Sequence, residues 1–419
     1  MRVIVVGAGV VGVCTAYYLN DAGCDVTVLE RNNGVAQEAS FGNAGVIAPG
    51  YVTPWAAPGM PRKVLAHLFA REAPVRFSPT LDPAMWAWVA RWLRECGSAR
   101  YRTNKSRMQR LSFYSRDKLA ELRVGHGLAY ERTQGYLQLL RSKRDVQLAE
   151  PAIALLKENG VAHQRLSPAE CRVREPGLSD LSFAGGLFLP DDETGNCPLF
   201  TRLLKDRCEE AGVRFEFGKS VAHIATQERG VVLRVNARDM ACDAVVIAAG
   251  IASVPLLRGL GVSLPLYPVK GYSATVVIRE PTYAPVAALM DEAYKVAIVR
   301  MGNRIRIAGT AELGSRTLSL ETPTAQRALR TLIKVARDWF PGAANYHSAT
   351  WWVGARPMLP DGPPVLGATP HPRVFVNLGH GSTGWAMAAG SGKIVTDVVM
   401  QRTPDIDLEG LTLARYGRL

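Results

Sequence analysis

The chain has 419 residues, enough for two domains or one large composite core. Its apolar share of 47% with 21% charged residues excludes a disordered or fibrous polymer, and no run of about 18 uncharged apolar residues is present to span a membrane. A formal charge of +13 raises an anionic partner, but no aromatic-basic motif of a nucleic-acid reader accompanies it, and no nucleic acid is expected.

The chain opens with MRVIVVGAGVVGVCTAYYLNDAGCDVTVLER. Apolar residues 3–6 predict a strand buried on both faces. Gly7-x-Gly9-x-x-Gly12 then predicts a tight turn into a helix that runs to about Ala22, and 25–29 a second strand that ends at Glu30. Together these parts make one βαβ unit. Gly7 permits the turn, Gly9 lets the backbone approach a pyrophosphate, and Gly12 packs helix on strand. The helix start, at Val10 and Val11, offers N–H donors and a positive dipole end to phosphate. Glu30, 18 residues beyond Gly12 and followed by Arg31, is placed to accept from ribose hydroxyls. The unit predicts a dinucleotide without choosing between NAD and FAD. A secretory signal also begins with a basic residue and an apolar run, but no A-x-A-like cleavage site follows here. Seven cysteines, an odd number with no C-x-x-C pair, point to a reducing compartment, and a cytoplasmic protein is expected.

Residues 51–190 read as mostly helical and basic. DPAMWAWVARWL carries Trp86, Trp88 and Trp92, and 91–123 follows with ten basic residues against three acidic ones, a net +7. Two readings stay open: a solvated helix face beside a core helix, or a peripheral membrane surface with tryptophan at the interface and Arg/Lys at anionic headgroups.

Nucleotide-domain signals return from about residue 195, with an amphipathic helix over 198–211 and then a run of strands. That run ends in a buried strand and the turn Ala248-Ala249-Gly250, where glycine allows backbone to approach a ligand. Further strands are predicted at 272–278, 297–299 and 304–308, and a helix at 324–339. The tail, FVNLGHGSTGWAMAAGSGKIVTDVVM, predicts a strand, a glycine loop and a helix begun inside the loop and closing over 391–400. Backbone N–H groups of 381–385 can face an electron-rich carbonyl edge. A flavin pyrimidine has such an edge and gains negative charge there on reduction. The tail therefore favours FAD.

Six stretches in order resemble the D-amino-acid oxidase-like FAD oxidoreductases, and among them most closely the FAD-bearing subunit of bacterial D-amino acid dehydrogenases. They are GAGVVG, ASFGNAGVIAPGYVTPWAAPG, GGLFLPDDETGNC, YPVKGYS, GARPMLPDGPPVLG and GHGSTGWAMAAGSGK. The resemblance implies an α/β (α+β composite) chain: a glutathione-reductase-like FAD-binding Rossmann domain, formed by 1–50, 191–267 and 346–419, and a substrate domain built on an antiparallel sheet plus helices, formed by 51–190 and 268–345. It implies cofactor contacts from Ser40, Asn43, Ala44, Gly45 and Val46, from Val221, Ala249 and Gly250, and from Gly381, Ser382, Thr383 and Gly384. Arg356 of GARPMLP matches the arginine that pairs with a substrate carboxylate. Some relatives tether FAD through a cysteine in this segment; none occurs here, so the FAD is expected to be non-covalent. Residues 97–190 match only loosely, which leaves the side-chain pocket open.

In such enzymes FAD takes a hydride from the substrate α-carbon at N5, leaving an imine that water hydrolyses to a 2-oxo acid and ammonia. The cofactor carries the chemistry, and the protein orients the substrate and sets the charge. Arginine suits a planar carboxylate better than lysine does. Tyr272 stands between substrate contact and strand core, Lys270 between neutralising reduced flavin and solvent, and His380 between loop brace and acid or base. The seven histidines lack ligand spacing, so no metal is expected. Oxidation of a D-amino acid, with electrons passed to quinone or another acceptor, leads. The alternatives are D-proline or hydroxy-D-proline dehydrogenation, an O2-using oxidase, a flavin-dependent RNA-modification protein and a non-enzymatic flavin module.

Overall fold

Strand Arg2–Val6, buried from Val3 onward, lies inside a six-stranded sheet. The computed structural model describes residues 1–67, 74–78 and 80–417. Across this sheet the order is Val365–Ala368, Val374–Leu378, Ala244–Ile247, Arg2–Val6, Asp25–Leu29 and Arg214–Glu216. All its pairings are parallel except that of Val365–Ala368. Helices Val10–Asp21, Cys197–Glu210 and Gly384–Val399 cover the face that carries Val3, Val5 and Val246. An antiparallel ribbon over 221–242 and helix Ser253–Gly259 cover the face that carries Ile4, Val245 and Ile247. A Cβ on Gly392 would stand 2.9 Å from the Cys14 backbone, so glycine lets the first and last helices touch.

The second sheet has ten strands. Its main path runs Thr350–Met358, Tyr267–Val277, Arg304–Leu313, Val296–Met301, Ala288–Asp291, Thr133–Leu140, Gly185–Thr194 and Val46–Ile47. Strand alternation gives it two distinct faces. Tyr272, Ala274, Val276, Val296, Ile298, Ile305 and Ile307 point back into a core with helix Pro323–Trp339. That helix is started by Thr322, whose side chain accepts from Ala325 N, and by a proline in its first turn. Residues between them, such as Ala297, Val299 and Met301, face Ala44, Val46 and Tyr51 on the other side of the sheet.

Two expectations change. Strands Thr350–Met358 and Val46–Ile47 belong to this large sheet, although the sequence division places them with the nucleotide domain. Residues 51–190 contribute long strands, Thr133–Leu140 and Gly185–Thr194, besides helices. Their period is obscured because the first is buried on both faces from Gly135 onward, and the second is interrupted by Pro190. The last helix starts at Gly384, inside the glycine loop as expected, and is buried nearly all round, so it lacks an amphipathic signature.

Candidate active site

Strands Arg2–Val6, Asp25–Leu29, Ala244–Ile247 and Val374–Leu378 are parallel and end on one edge of the sheet, the edge at which open α/β sheets take ligands. Four predicted segments meet there: the Gly7 turn, Glu30, the 248–250 turn and the 379–384 loop. Gly7 has φ +107, and a Cβ on it would lie 2.7 Å from Ala248 O; a Cβ on Gly12 would lie 1.9 Å from Gly7 O. Glu30 accepts from Ala8 N at 2.8 Å and from Asn32 N at 2.8 Å. Ser40 comes across to the helix start and accepts from Val10 N at 3.1 Å. Helix Val10–Asp21 begins at Gly9 with no side-chain cap, and Val11 is half-buried in its first turn. Arg31 instead pairs with Glu38 at the surface. Val221 begins the antiparallel ribbon that packs on the sheet's other face.

The residues fit a flavin dinucleotide. Gly250 has φ +54 and nothing within 4 Å of where its Cβ would be, so backbone there is open to a ligand. Helix Gly384–Val399 also starts without a side-chain cap, and the buried Thr383 hydroxyl has no partner among the described residues. Gly381 takes φ +60 in the short turn before that helix. Two helix N-termini at one sheet edge give the donors that phosphates and a pyrimidine edge require. The loop at 40–46 is held from the large sheet. Arg306 Nη1 donates to Phe41 O at 2.8 Å and to Asn43 O at 3.2 Å, and Asn43 Oδ1 accepts from Gly45 N at 2.7 Å. Burial pulls the Arg306 pKa down to about 10.

Arg356 stands opposite Val269 in the register of its strand and so shares the face of Gly271. Its Nη1 donates to Lys270 O at 3.2 Å and to Thr310 O at 3.1 Å. A Cβ on Gly271 would sit 2.4 Å from the guanidinium carbon, so the glycine of KGYS is the space that the arginine fills. No carboxylate pairs with Arg356 among the described residues, and burial lowers its pKa to about 10. The Trp55 ring lies 6.0 Å from the guanidinium carbon, and Trp55 Nε1 donates to Ser382 Oγ at 3.2 Å. Met358, two residues beyond Arg356, bridges to His380, tying this strand to the 379–384 loop. The arginine and the flavin loop are thus joined twice.

Lys270 and Tyr272 are placed elsewhere. Both lie on the opposite face, where Lys270 Nζ is 2.5 Å from Glu312 Oε1 with both side chains 1% exposed. Tyr272 donates to the other Glu312 oxygen and Ser78 Oγ to the first. Burial followed by this carboxylate pushes the Tyr272 pKa up. Lys270 is therefore not solvated, and neither side chain hydrogen-bonds Arg356, although the Tyr272 phenol is near enough to interact with it electrostatically: strand alternation sends neighbours of a cleft residue to the other face. His380 is buried with Nε2 3.0 Å from Ser391 Oγ, and burial lowers its pKa to about 3. The ring is neutral at physiological pH and braces the loop on its helix.

Sequence reasoning misses Trp55, Gly271 and Thr310, which lie against Arg356, and Arg306, which holds the 40–46 loop. Trp55 lies within the quoted PWAAPG and Gly271 within KGYS, but nothing local shows that either meets Arg356. The basic segment is also rearranged. Trp88 and Trp92 are buried in the core, Trp88 Nε1 donating to Met358 O at 3.1 Å, while Trp86 remains 57% exposed. Arg100, Arg107, Arg110, Arg116, Lys118 and Arg123 all face carboxylates, three of them (Glu193, Asp407 and Glu409) from outside the segment. Lys105 is buried, its pKa lowered by desolvation. Among the described residues, no helix is long and apolar enough to cross a membrane.

A dinucleotide edge clasped to a cleft with an uncompensated guanidinium defines a two-domain flavin-dependent class of oxidoreductase. The chain belongs to the FAD dependent oxidoreductase (DAO) family, whose model matches residues 2–398. It is similar to "D-amino acid dehydrogenase 1" of Mesorhizobium japonicum, 44% identical over 99% of this chain and 100% of that one. It is also similar to "D-amino acid dehydrogenase" of Rhizorhabdus wittichii, 46% identical over the same shares. Among solved structures, glycine oxidase from Geobacillus kaustophilus has a TM-score of 0.75 at 23% identity, over 99% of each chain. L-Proline dehydrogenase from P. horikoshii has a TM-score of 0.75 at 17% identity, over 99% of this chain and 97% of that one. These two establish the shared fold.

Proposed function

We propose that this chain oxidises a D-amino acid to a 2-oxo acid and ammonia with non-covalent FAD, passing the electrons to quinone or another acceptor. The observation that carries this reading is Arg356: a half-buried guanidinium without a carboxylate partner among the described residues, held on two carbonyls and linked through Trp55 to the flavin loop. Such a group accepts a planar carboxylate bidentately. The names of the full-length relatives support the D-configuration. Gly7, Gly9, Gly12, Glu30, Ser40 and the 381–384 loop would hold FAD, which when bound supplies a two-electron acceptor. Arg356 then fixes the carboxylate, and Trp55 limits where the substrate can lie. His380, neutral in its interior site, keeps the loop in place without titrating.

An anaerobic screen of D- and L-amino acids, including D-proline, tests the reading. Bleaching of the flavin by D-amino acids supports it; bleaching by L-amino acids alone, or by none, overturns it. Peroxide formed in air at the rate of turnover would make O2 the acceptor instead of quinone. Acid precipitation should release the flavin, because no cysteine lies within 350–367 and all seven are buried. A peripheral membrane contact is supported by exposed Leu81, Trp86 and Leu93 beside Arg91 and Arg94, neither of which has an ion-pair partner among the described residues.

A further inference from the structure

In strand Arg304–Leu313, two residues, Thr310 and Ala311, stand opposite the single Gly271 of the neighbouring strand. Such a β-bulge bends a strand and re-aims its groups, and bulges cluster beside active sites. Here it places Thr310 at φ +52, a left-handed conformation in which a β-branched residue is an outlier. Glycine would hold the same backbone with less strain. The threonine that occupies the position has two further features. Its carbonyl accepts from Arg356 Nη1 at 3.1 Å. Its hydroxyl has no partner among the described residues, although the residue is only 4% exposed. A buried hydroxyl left unpaired is costly, so strain and an orphaned donor on one residue do not suit a packing role.

We propose that Thr310 is a second substrate-binding residue: its carbonyl sets the guanidinium and its hydroxyl donates to the carboxylate that Arg356 holds. This rests on the reading of Arg356 given above. Covalent geometry keeps the hydroxyl within about 4 Å of its own carbonyl oxygen, and hence within about 7 Å of Arg356 Nη1, a span that one carboxylate hydrogen-bonded to both can bridge. The bulge thereby serves both contacts. It turns the carbonyl of Thr310 toward Arg356 and leaves the hydroxyl of the same residue without a protein partner among the described residues.

The test uses the FAD-loaded enzyme with benzoate, a carboxylate without an amine, followed by its perturbation of the flavin absorbance, and D-alanine for kinetics. Thr310→Gly should melt at or above the parent temperature with full flavin content, because strain is relieved. Its benzoate Kd and D-alanine KM should rise about tenfold or more, the loss expected for a hydrogen bond to a charged group, with kcat changed less. Thr310→Ser should restore binding to within about threefold, and Thr310→Val should not. Thr310→Gly with a raised melting temperature and unchanged Kd and KM would overturn the proposal. Should that variant fail to hold FAD, equal benzoate affinity in the serine and valine variants overturns it instead. Arg356→Lys runs in parallel. If it weakens benzoate while the Thr310 series does not, Thr310 alone leaves the site; if Arg356→Lys leaves benzoate binding unchanged, the reading of Arg356 falls first.

Discussion

One strand, Tyr267–Val277, serves two regions of different character. Toward the nucleotide domain it shows Gly271 and, beside it, Arg356, a cation that lies against two carbonyls and a tryptophan ring and has no carboxylate partner among the described residues. One residue away on the back, Lys270 and Tyr272 share Glu312, which also accepts from Ser78. Both regions are charged, but only the back gives its lysine a carboxylate partner. The difference separates structural charge from charge held for a ligand. A buried cation that the protein leaves uncompensated bears a desolvation cost until an anion arrives.

Removing one member of the closed network should have the largest effect. Glu312→Ala leaves Lys270 charged and buried without its partner, so stability should fall by about 3–5 kcal/mol. The double variant Lys270→Met with Glu312→Leu should recover most of the melting temperature, since apolar replacements of a buried pair are often neutral. A double variant that melts normally and yet loses flavin reduction would return Lys270 to the active site. Arg356→Ala should do the opposite: native melting and full FAD, with substrate binding weakened by roughly 1.5–3 kcal/mol and flavin reduction slowed. Arg356→Lys should recover part of that, because an ammonium lacks the planar fork. Stopped-flow flavin reduction across substrate concentration, with melting temperature alongside, measures both; an Arg356→Ala enzyme that loses stability and FAD together would make the residue structural.

The nucleotide half was legible because its constraints are local. Gly7 and Gly12 are required by close approaches within a few residues or across one strand pair, and each leaves a mark in the sequence. The cleft was legible only at Arg356, and there through a resemblance. Thr310 owes its role to a bulge, and Gly271 to a guanidinium 85 positions away. Neither requirement has a sequence period. Strand alternation also separates Lys270 and Tyr272 from the glycine between them, a distinction invisible until the facing strand is known.

Asp192 sharpens the contrast in a carboxylate. It is buried in strand Gly185–Thr194, its Oδ2 has no partner among the described residues, and burial raises its pKa to about 8. The sign follows directly. Between the ordinary value of 3.8 and about 8 the native state keeps a proton that the unfolded chain has released, so this group's contribution to stability is lost as pH rises. The slope should reach at most about 1.4 kcal/mol per pH unit. Asp192→Asn should flatten the melting-temperature profile over that window. An unchanged slope in the variant would show that Asp192 is ionised in the native protein.

The surface repeats the comparison at lower energy. Along 91–123, most cations face carboxylates and so cannot add much to an external field, whereas Arg91 and Arg94 have no such partner among the described residues. They flank Leu93 on the helix whose exposed Trp86 follows Leu81, itself 97% exposed. If this patch meets an anionic membrane, each arginine contributes about 1 kcal/mol, roughly a fivefold change in partition. Arg91→Gln with Arg94→Gln should therefore lower the partition onto phosphatidylglycerol vesicles about 25-fold and leave flavin reduction by substrate intact. Trp86→Ala should weaken binding at every salt concentration, since its contribution is apolar, while the arginine effect should fade as salt screens it. Equal recovery of the parent protein with anionic and neutral vesicles would remove the membrane from the proposal and leave the charge as a solvated helix face.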